Sequence, residues 1–346
     1  MKRNYSIDSA KMLASFAVVF MHVVNYLPTT RFANYWTYDW YFPLLDLAVP
    51  LFFIISGYFL RKKDYRDIPS YAFRILVMLI AYNIVYMIIK WAIDIILQLL
   101  SGDLSIGTMF SYFASLQVIN IFTGIVGSEH LWFLSALFFA SWILYFLKRI
   151  QLSSGLCVVI GMVLFGLIFL PPLNKFSTTF FLYGGFAKGF FYLSLGNWLA
   201  QKVINYPYRV IGLVVSLVFL IRIGSNVDSQ VVLEVLLAIT IFHLLLLLKE
   251  NLLGENILSR YAQYSMGIYL LHIIFTGFFT TARELYPTIN TINPLIVVPI
   301  AFTLCTLGSV IMFPYTERFV HQPLIRLFNQ LMAKLDYNIH IKPSKL

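Results

Sequence analysis

The sequence predicts an all-α membrane protein, a polytopic bundle of about ten transmembrane helices with both termini in the cytoplasm. Of its 346 residues, 60% are apolar and only 12% are charged, and the mean hydropathy is +0.81. A soluble protein normally carries about twice that charged fraction. Because such a chain cannot cover its surface with polar groups, lipid must be the solvent for most of it.

Ten apolar segments are candidate spans, since a helix needs about 20 apolar residues to cross the hydrocarbon core of a bilayer. The first of them follows Lys2 and Arg3, as the apolar core of a signal peptide would. Asp8, Lys11 and His22 interrupt it, and we therefore interpret it as a retained span. The ten segments are 9–28, 40–60, 71–98, 130–147, 154–171, 184–203, 208–222, 229–248, 263–282 and 293–314.

The distribution of Lys and Arg predicts the orientation of the bundle. Of the 25 basic residues, 19 lie at the termini and in or beside one set of alternate loops, whereas 5 lie on the other side. Cytoplasmic loops carry the excess of positive charge in membrane proteins. We therefore expect an even number of spans in the cytoplasmic membrane, with residues 1–320 forming one transmembrane domain and 321–346 a basic cytoplasmic tail.

Composition also argues against binding of nucleic acid and against a cysteine-based metal site. The net charge of +10 comes from basic residues scattered singly between apolar segments, so nucleic acid is not expected as a partner. The two cysteines, Cys157 and Cys305, stand alone inside apolar runs and have neither disulfide nor metal-ligand spacing. No metal site is predicted.

A polar stripe marks the first span. Asp8, Lys11, Ser15 and His22 fall within a sector about 60° wide at about 100° per residue. His22 lies about 16 Å beyond Lys11 along the helix axis. A histidine inside the membrane either makes a hydrogen bond to a neighbouring helix or handles protons, and the stripe below His22 favours a role as general base.

Three further segments carry polar groups of interest. The ninth span repeats the stripe, with His272 on the same face as three other polar side chains, and Glu129 and His130 precede Trp132 at the predicted outer surface. The basic run that begins at Arg61 either fixes topology and contacts anionic lipid or binds a phosphate-rich cytosolic ligand.

Four segments, taken in order along the chain, resemble motifs of the acyltransferase 3 family of integral membrane acyltransferases. The opening from Tyr5 to His22 is similar to the family's Asp-x-x-(Arg/Lys) start with a histidine eleven residues later. The family's Phe-Phe-x-x-Ser-Gly-Phe, His-Leu-Trp-(Tyr/Phe)-Leu and Ser-x-Gly-Ile-Tyr-Leu-x-His motifs resemble residues 49–60, 130–134 and 265–272.

This resemblance implies a ten-helix transferase that moves an acyl group, usually acetyl, from a cytosolic acyl-CoA. The acceptor would be a hydroxyl of a cell-envelope or exported carbohydrate, including lipid-linked glycans. His22 would be the family's essential histidine and Lys11 its basic partner. The family's Arg-x-x-Arg at the start of the third span reads Tyr71 to Arg74 here, so only Arg74 is carried over.

On this basis the sequence leads to a hypothesis about the donor side. Lys11, Arg61 and Arg74 are expected to bind the phosphates of acetyl-CoA at the inner end of the bundle. His22 would act either as general base for the acceptor hydroxyl or as the acyl carrier, and the sequence leaves both routes open.

The acceptor side involves a second group of residues. Glu129, His130 and Trp132 are expected to contact a sugar, Trp132 by stacking, and His272 is grouped with them as a substrate contact. A membrane transporter, or a flippase of lipid-linked sugar, is the alternative class, since transporters also bury ionisable residues. Transporters commonly have inverted repeats with broken helices, and no convincing repeat is present.

Overall fold

The computed structural model describes residues 3–26, 41–61, 63–102, 107, 118–170, 182–201, 208–224, 229–286, 288–289, 292–334 and 341. Within these residues the chain is helical and contains no β-strand. The all-α prediction is therefore confirmed for the described part of the chain. Seven of the 25 basic residues lie outside it, namely Lys2, Arg31, Lys62, Lys175, Lys202, Lys342 and Lys345.

Fourteen α-helices are present in the described residues, and we number them in chain order. They are α1 Tyr5–Tyr26, α2 Phe42–Leu45, α3 Ala48–Leu60, α4 Ile68–Ser101, α5 Val118–Thr123, α6 Trp132–Arg149, α7 Ser154–Leu167, α8 Gly185–Leu199, α9 Arg209–Gly224, α10 Gln230–Leu248, α11 Ile257–Tyr261, α12 Ser265–Leu285, α13 Pro294–Thr316 and α14 Gln322–Lys334. A π-helical turn, Glu317–His321, joins α13 to α14.

Helix length supports the membrane prediction. Among the described residues, seven helical segments are long and apolar enough to cross a bilayer, and they coincide with seven of the ten predicted spans. The other three predicted spans contain α7, α8 and α9, with 14, 15 and 16 residues. The protein is a multi-helical membrane bundle, whereas the count of ten and the orientation of the termini stay predictions.

Several helices also present apolar side chains outward, as lipid contact requires. On α7, four apolar side chains spaced along one face are between 47% and 56% exposed, namely Leu156, Val159, Met162 and Val163. In water, a contiguous apolar face of this kind would promote association. In a bilayer the same face meets acyl chains and needs no protein partner.

Contacts divide the chain into two compact units that interleave along the sequence. Unit 1 comprises Met1–Asp64, Leu152–Gly166 and Phe191–Phe313, and unit 2 comprises Tyr65–Gln151, Leu167–Phe190 and Pro314–Leu346. The domain boundary expected at residue 320 stays a prediction.

In unit 1, α1 packs against α3, α11 and α12. Val19 and Val23 of α1 and Ile268 of α12 are buried in a common apolar cluster. The Ser15 hydroxyl donates a hydrogen bond of 2.8 Å to the Ser265 carbonyl, and one heptad further along both helices His22 meets His272. The two helices are therefore parallel, in agreement with their predicted positions as first and ninth spans.

A close backbone contact joins α3 to α8 within unit 1. A Cβ atom added at Gly57 would overlap the carbonyl oxygen of Leu193, and one added at Gly196 would overlap the carbonyl oxygen of Ile54. Small residues at helix crossings let backbones approach closely in membrane proteins. Gly57 of the Ser-Gly-Tyr segment is thus needed for helix packing.

In unit 2, α4 packs along α6, and α14 returns beside the first turns of α4. Phe73 of α4 lies 5.5 Å from the Trp142 ring of α6 and 5.2 Å from the Phe328 ring of α14, between ring centroids. Val77 and Ile325 are buried together one turn further. The last helical segment therefore continues past the predicted span, because its apolar side chains pack on α4.

Candidate active site

A pair of histidines lies between α1 and α12. The ring centroids of His22 and His272 are 5.0 Å apart, and the rings are tilted by 45°. His22 is half-buried, whereas His272 is fully buried. Helical spacing predicts that each histidine lies on the polar face of its own helix, and the structure brings the two faces together.

Backbone carbonyls fix the tautomer of His272. Its Nδ1 lies 2.8 Å from the Tyr269 carbonyl oxygen and 3.1 Å from that of Ile268. A carbonyl oxygen only accepts hydrogen bonds, so Nδ1 carries a proton, and in the neutral ring the lone pair is on Nε2. His272 can therefore accept a hydrogen bond through Nε2, for which an imidazole N–H of His22 is suited.

The walls around the pair are apolar and aromatic. Tyr269 is 2% exposed, and its ring centroid lies 5.7 Å from that of Phe52 in an edge-to-face arrangement. Val19 and Val23 close the α1 side. Since water is largely excluded from such surroundings, hydrogen bonds and charges near the histidines act at low effective dielectric.

At the start of α1, three charged residues form a network. The Asp8 carboxylate accepts hydrogen bonds of 2.7 Å from the Arg3 guanidinium and 2.7 Å from the Lys11 ammonium. The Arg3 guanidinium also donates to the Ser259 carbonyl. The hydrogen bond to Asp8 raises the pKa of Arg3 above its ordinary value. The network therefore sets two basic side chains against one carboxylate.

Asparagine side chains in the loop before α11 and just before α1 hold the first turn of α1. The Tyr5 amide donates to the Asn251 side-chain oxygen over 2.6 Å, and the Ile7 amide donates to the Asn4 side-chain oxygen over 2.9 Å. Asn256 caps α11 in a reciprocal pair with Ser259, which places the carbonyl that Arg3 uses. The first turn of α1 is therefore anchored at several points.

Arg3 was missed by the sequence reasoning. It precedes the helix, so helical periodicity could not place it, yet its side chain joins the network through Asp8 and is 48% exposed. The predicted phosphate contact Lys11 is itself paired with Asp8, with 27% of its side chain exposed. The start of α1 thus offers two cationic side chains rather than one.

We expect Asp8→Asn to destabilise the protein by about 2 kcal/mol, since it removes two charge-assisted hydrogen bonds and leaves Lys11 in the helix without its counter-charge. The measurement is the free energy of unfolding in detergent. Asp67→Asn is the matched control, because Asp67 is exposed at the start of α4. Equal stability of the two variants would contradict a stabilising role for Asp8.

The other two predicted phosphate contacts belong to different units. Arg61 is exposed at the end of α3 in unit 1. Arg74 is half-buried in the second turn of α4 in unit 2. Their shared role in binding acyl-CoA stays a prediction.

The predicted acceptor residues Glu129, His130 and Trp132 lie together in unit 2, at the start of α6. Glu129 is exposed, but His130 is only 5% exposed. Its Nδ1 lies 2.9 Å from the Ser128 hydroxyl and its Nε2 lies 3.5 Å from the Tyr86 hydroxyl. Both ring nitrogens of His130 thus contact protein groups, which fixes the turn against α4.

Trp132 is 8% exposed and borders a small cavity. The cavity measures about 30 Å³, enough for a water molecule. The ring of Tyr183 lies 5.5 Å from that of Trp132 and is 57% exposed, so Tyr183 is the accessible member of this aromatic pair. Besides Trp132, the lining consists of Phe122, Thr123, Ser135, Ala136, Phe139, Gly185 and Phe186.

These observations define a class: a multi-pass helical membrane protein that buries a histidine pair between two spanning helices, with a cationic network at the start of one of them. The chain belongs to the acyltransferase 3 family, whose model, described as an acyltransferase domain, matches residues 4–313, nearly the whole chain. Comparisons with curated proteins and with solved structures find no significant match.

Proposed function

We propose that this membrane acyltransferase moves an acetyl group from cytosolic acetyl-CoA to a hydroxyl of a cell-envelope or exported carbohydrate. The observation that carries the proposal is the contact of His22 with His272 inside the membrane-spanning part of unit 1. An imidazole that is half-buried and supported by a second imidazole is suited to accept and return a proton.

His22 acts at the reacting bond by one of two routes. As a base it takes the proton of the acceptor hydroxyl while the oxygen attacks the thioester carbon. As a carrier it attacks that carbon itself and then passes the acetyl group to the hydroxyl. In both routes the carbon–sulfur bond breaks, a carbon–oxygen bond is finally formed, and CoA leaves as the thiol with the hydroxyl proton.

His272 orients His22 in this scheme. When an N–H of His22 donates to Nε2 of His272, the other ring nitrogen of His22 keeps its lone pair for the reaction. Hydrogen bonds of this kind often tighten only when substrate is bound. The Nδ1–H of His272 is already held by the Tyr269 carbonyl, which supports this assignment.

Cationic groups bind the donor. Acyl-CoA carries several phosphate charges, and Arg3 and Lys11 at the inner end of the stripe can make charge-assisted hydrogen bonds to them, together with Arg61 and Arg74. His22 lies about 16 Å from Lys11 along α1, a distance that the thin pantetheine arm can span. The thioester thus reaches a dry, enclosed base.

The acceptor sugar is assigned to the second group of residues. Exposed Glu129 can accept hydrogen bonds from sugar hydroxyls, and the aromatic pair Trp132 and Tyr183 offers a stacking surface. His130 holds this turn in place through Ser128 and Tyr86.

Arg74→Ala tests the donor assignment. We expect the KM for acetyl-CoA to rise about tenfold with kcat little changed, because one charge-assisted contact to phosphate is lost. Steady-state release of CoA by protein in nanodiscs measures both constants. Arg283→Ala, on the predicted outer side, is the control and should keep the KM of the unmodified protein. An unchanged KM in Arg74→Ala would contradict the assignment, and a folded protein without any turnover would favour the transporter alternative.

A further inference from the structure

The turn that joins α13 to α14 buries two ionisable residues that the proposed mechanism does not use. Residues Glu317–His321 form a single π-helical turn in unit 2. Such turns are rare, and they occur frequently at functional sites because they rotate side chains out of the regular helical register.

Glu317 and His321 form a carboxylate–imidazole pair. Nδ1 of His321 lies 2.8 Å from Oε1 of Glu317. His321 is 0% exposed and Glu317 is 1% exposed. Next to them, the Tyr82 hydroxyl of α4 is 3.2 Å from the Thr316 hydroxyl. Because a carboxylate accepts hydrogen bonds, the proton of the imidazole is held on Nδ1.

The second nitrogen of His321 is buried as well. Among the described residues, its Nε2 has no hydrogen-bond partner. A buried polar atom without a partner is costly, and native proteins rarely keep one that serves no purpose. In the neutral ring, with the proton on Nδ1, Nε2 is a hydrogen-bond acceptor, and a group that binds it supplies an N–H or O–H donor.

The place of the pair along α4 indicates where that donor comes from. Tyr82, which lies beside the pair, is eight residues beyond Arg74, a distance of about 12 Å along the helix. Arg74 is one of the proposed phosphate contacts and lies in unit 2, as the pair does. The pantetheine arm of acyl-CoA extends from the phosphates towards the sulfur and carries two amide N–H groups, which are neutral and suit a dry interior.

We propose that Glu317 and His321 bind the pantetheine arm of acyl-CoA, with His321 Nε2 accepting a hydrogen bond from an amide N–H. This inference rests on the proposed function, because it takes acyl-CoA as the donor. The pair would be a second contact with acyl-CoA, made to the uncharged pantetheine arm rather than to the phosphates.

His321→Asn tests the inference. The asparagine amide can still donate to Glu317 in place of Nδ1, but it lacks an acceptor at the position of Nε2. We measure binding of CoA and of adenosine 3′,5′-bisphosphate, the nucleotide half without the arm, to the full-length protein in nanodiscs by calorimetry. The expected result is an approximately tenfold weaker affinity for CoA and an unchanged affinity for the nucleotide.

Two comparisons make the result specific. Glu317→Gln keeps the shape of the pair, but its amide can donate to Nδ1 and thereby place the proton on Nε2, so it should weaken CoA binding selectively in the same way. His243→Asn changes a histidine in unit 1 that contacts its own helix through Nδ1, and it should bind both ligands as the unmodified protein does.

Unchanged CoA binding in both pair variants would overturn the inference and leave the proposed function intact. An equal loss of CoA and nucleotide binding would also overturn it, since the pair would then hold the fold of unit 2. If the unmodified protein binds neither ligand, the proposed function fails together with the inference, and this outcome is distinct from the other two.

Discussion

Replacing His22 by alanine is expected to lower the rate of acyl transfer about 10³-fold, the contribution typical of a positioned general base. The methyl group cannot take the hydroxyl proton or carry the acyl group, so both routes fail. The fold should persist, because His22 is only half-buried and the Ser15–Ser265 hydrogen bond and the valines of α1 still join α1 to α12. Transfer is measured as acetyl incorporation by membranes that contain the variant.

His243→Ala is the matched control for His22→Ala. His243 also lies in a predicted span of unit 1, and its Nδ1 contacts the Ile239 carbonyl of its own helix at 2.9 Å, with no assigned role in transfer. It should keep most of the activity. Retained transfer in His22→Ala, at protein levels equal to those of the control, would remove His22 from the mechanism.

The second large effect is expected for Gly57→Ala. The new methyl group would overlap the Leu193 carbonyl of α8, and relief requires the two backbones to separate, since no flexible side chain is there to move. Overpacking of this kind costs about 3 kcal/mol. We expect a clear loss of folded protein after detergent extraction, measured by size-exclusion chromatography and by thermal unfolding.

Gly277→Ala provides the contrast. Gly277 lies in α12 with nothing within 4 Å of the position of an added Cβ. Alanine there should keep or raise stability, because glycine in a helix is less favourable than alanine by about 1 kcal/mol. If Gly57→Ala were as stable as Gly277→Ala, the close contact of α3 with α8 would be wrong.

Sequence periodicity predicted the parts of the candidate site that one helix determines. Asp8, Lys11, Ser15 and His22 could be placed on one face because the angle between residues of a helix is fixed. His272 could be placed on its own helix in the same way. That its partner is His22 depends on which helices pack together, and no spacing within one helix contains that information.

Other features depended on tertiary contacts or on irregular backbone. His130 looked like a surface residue beside Glu129, but the turn folds back and its ring meets Tyr86 of α4. Glu317 and His321 are four residues apart, a spacing that places them on one face of a helix. They follow the predicted end of the last span, however, so the sequence did not predict that they are buried. Only the π turn and the packing of α14 on α4 explain why this pair is buried.

The role of His22 in acyl transfer from acetyl-CoA is tested most directly with purified protein in nanodiscs and acetyl-CoA labelled on the acetyl group. Release of CoA, and label that leaves the donor for the protein or for an added carbohydrate acceptor, are followed in unmodified protein and in His22→Ala. Release of CoA and transfer of label should both require His22. Equal release in the two proteins, or folded unmodified protein that neither binds nor consumes acetyl-CoA, would contradict this expectation.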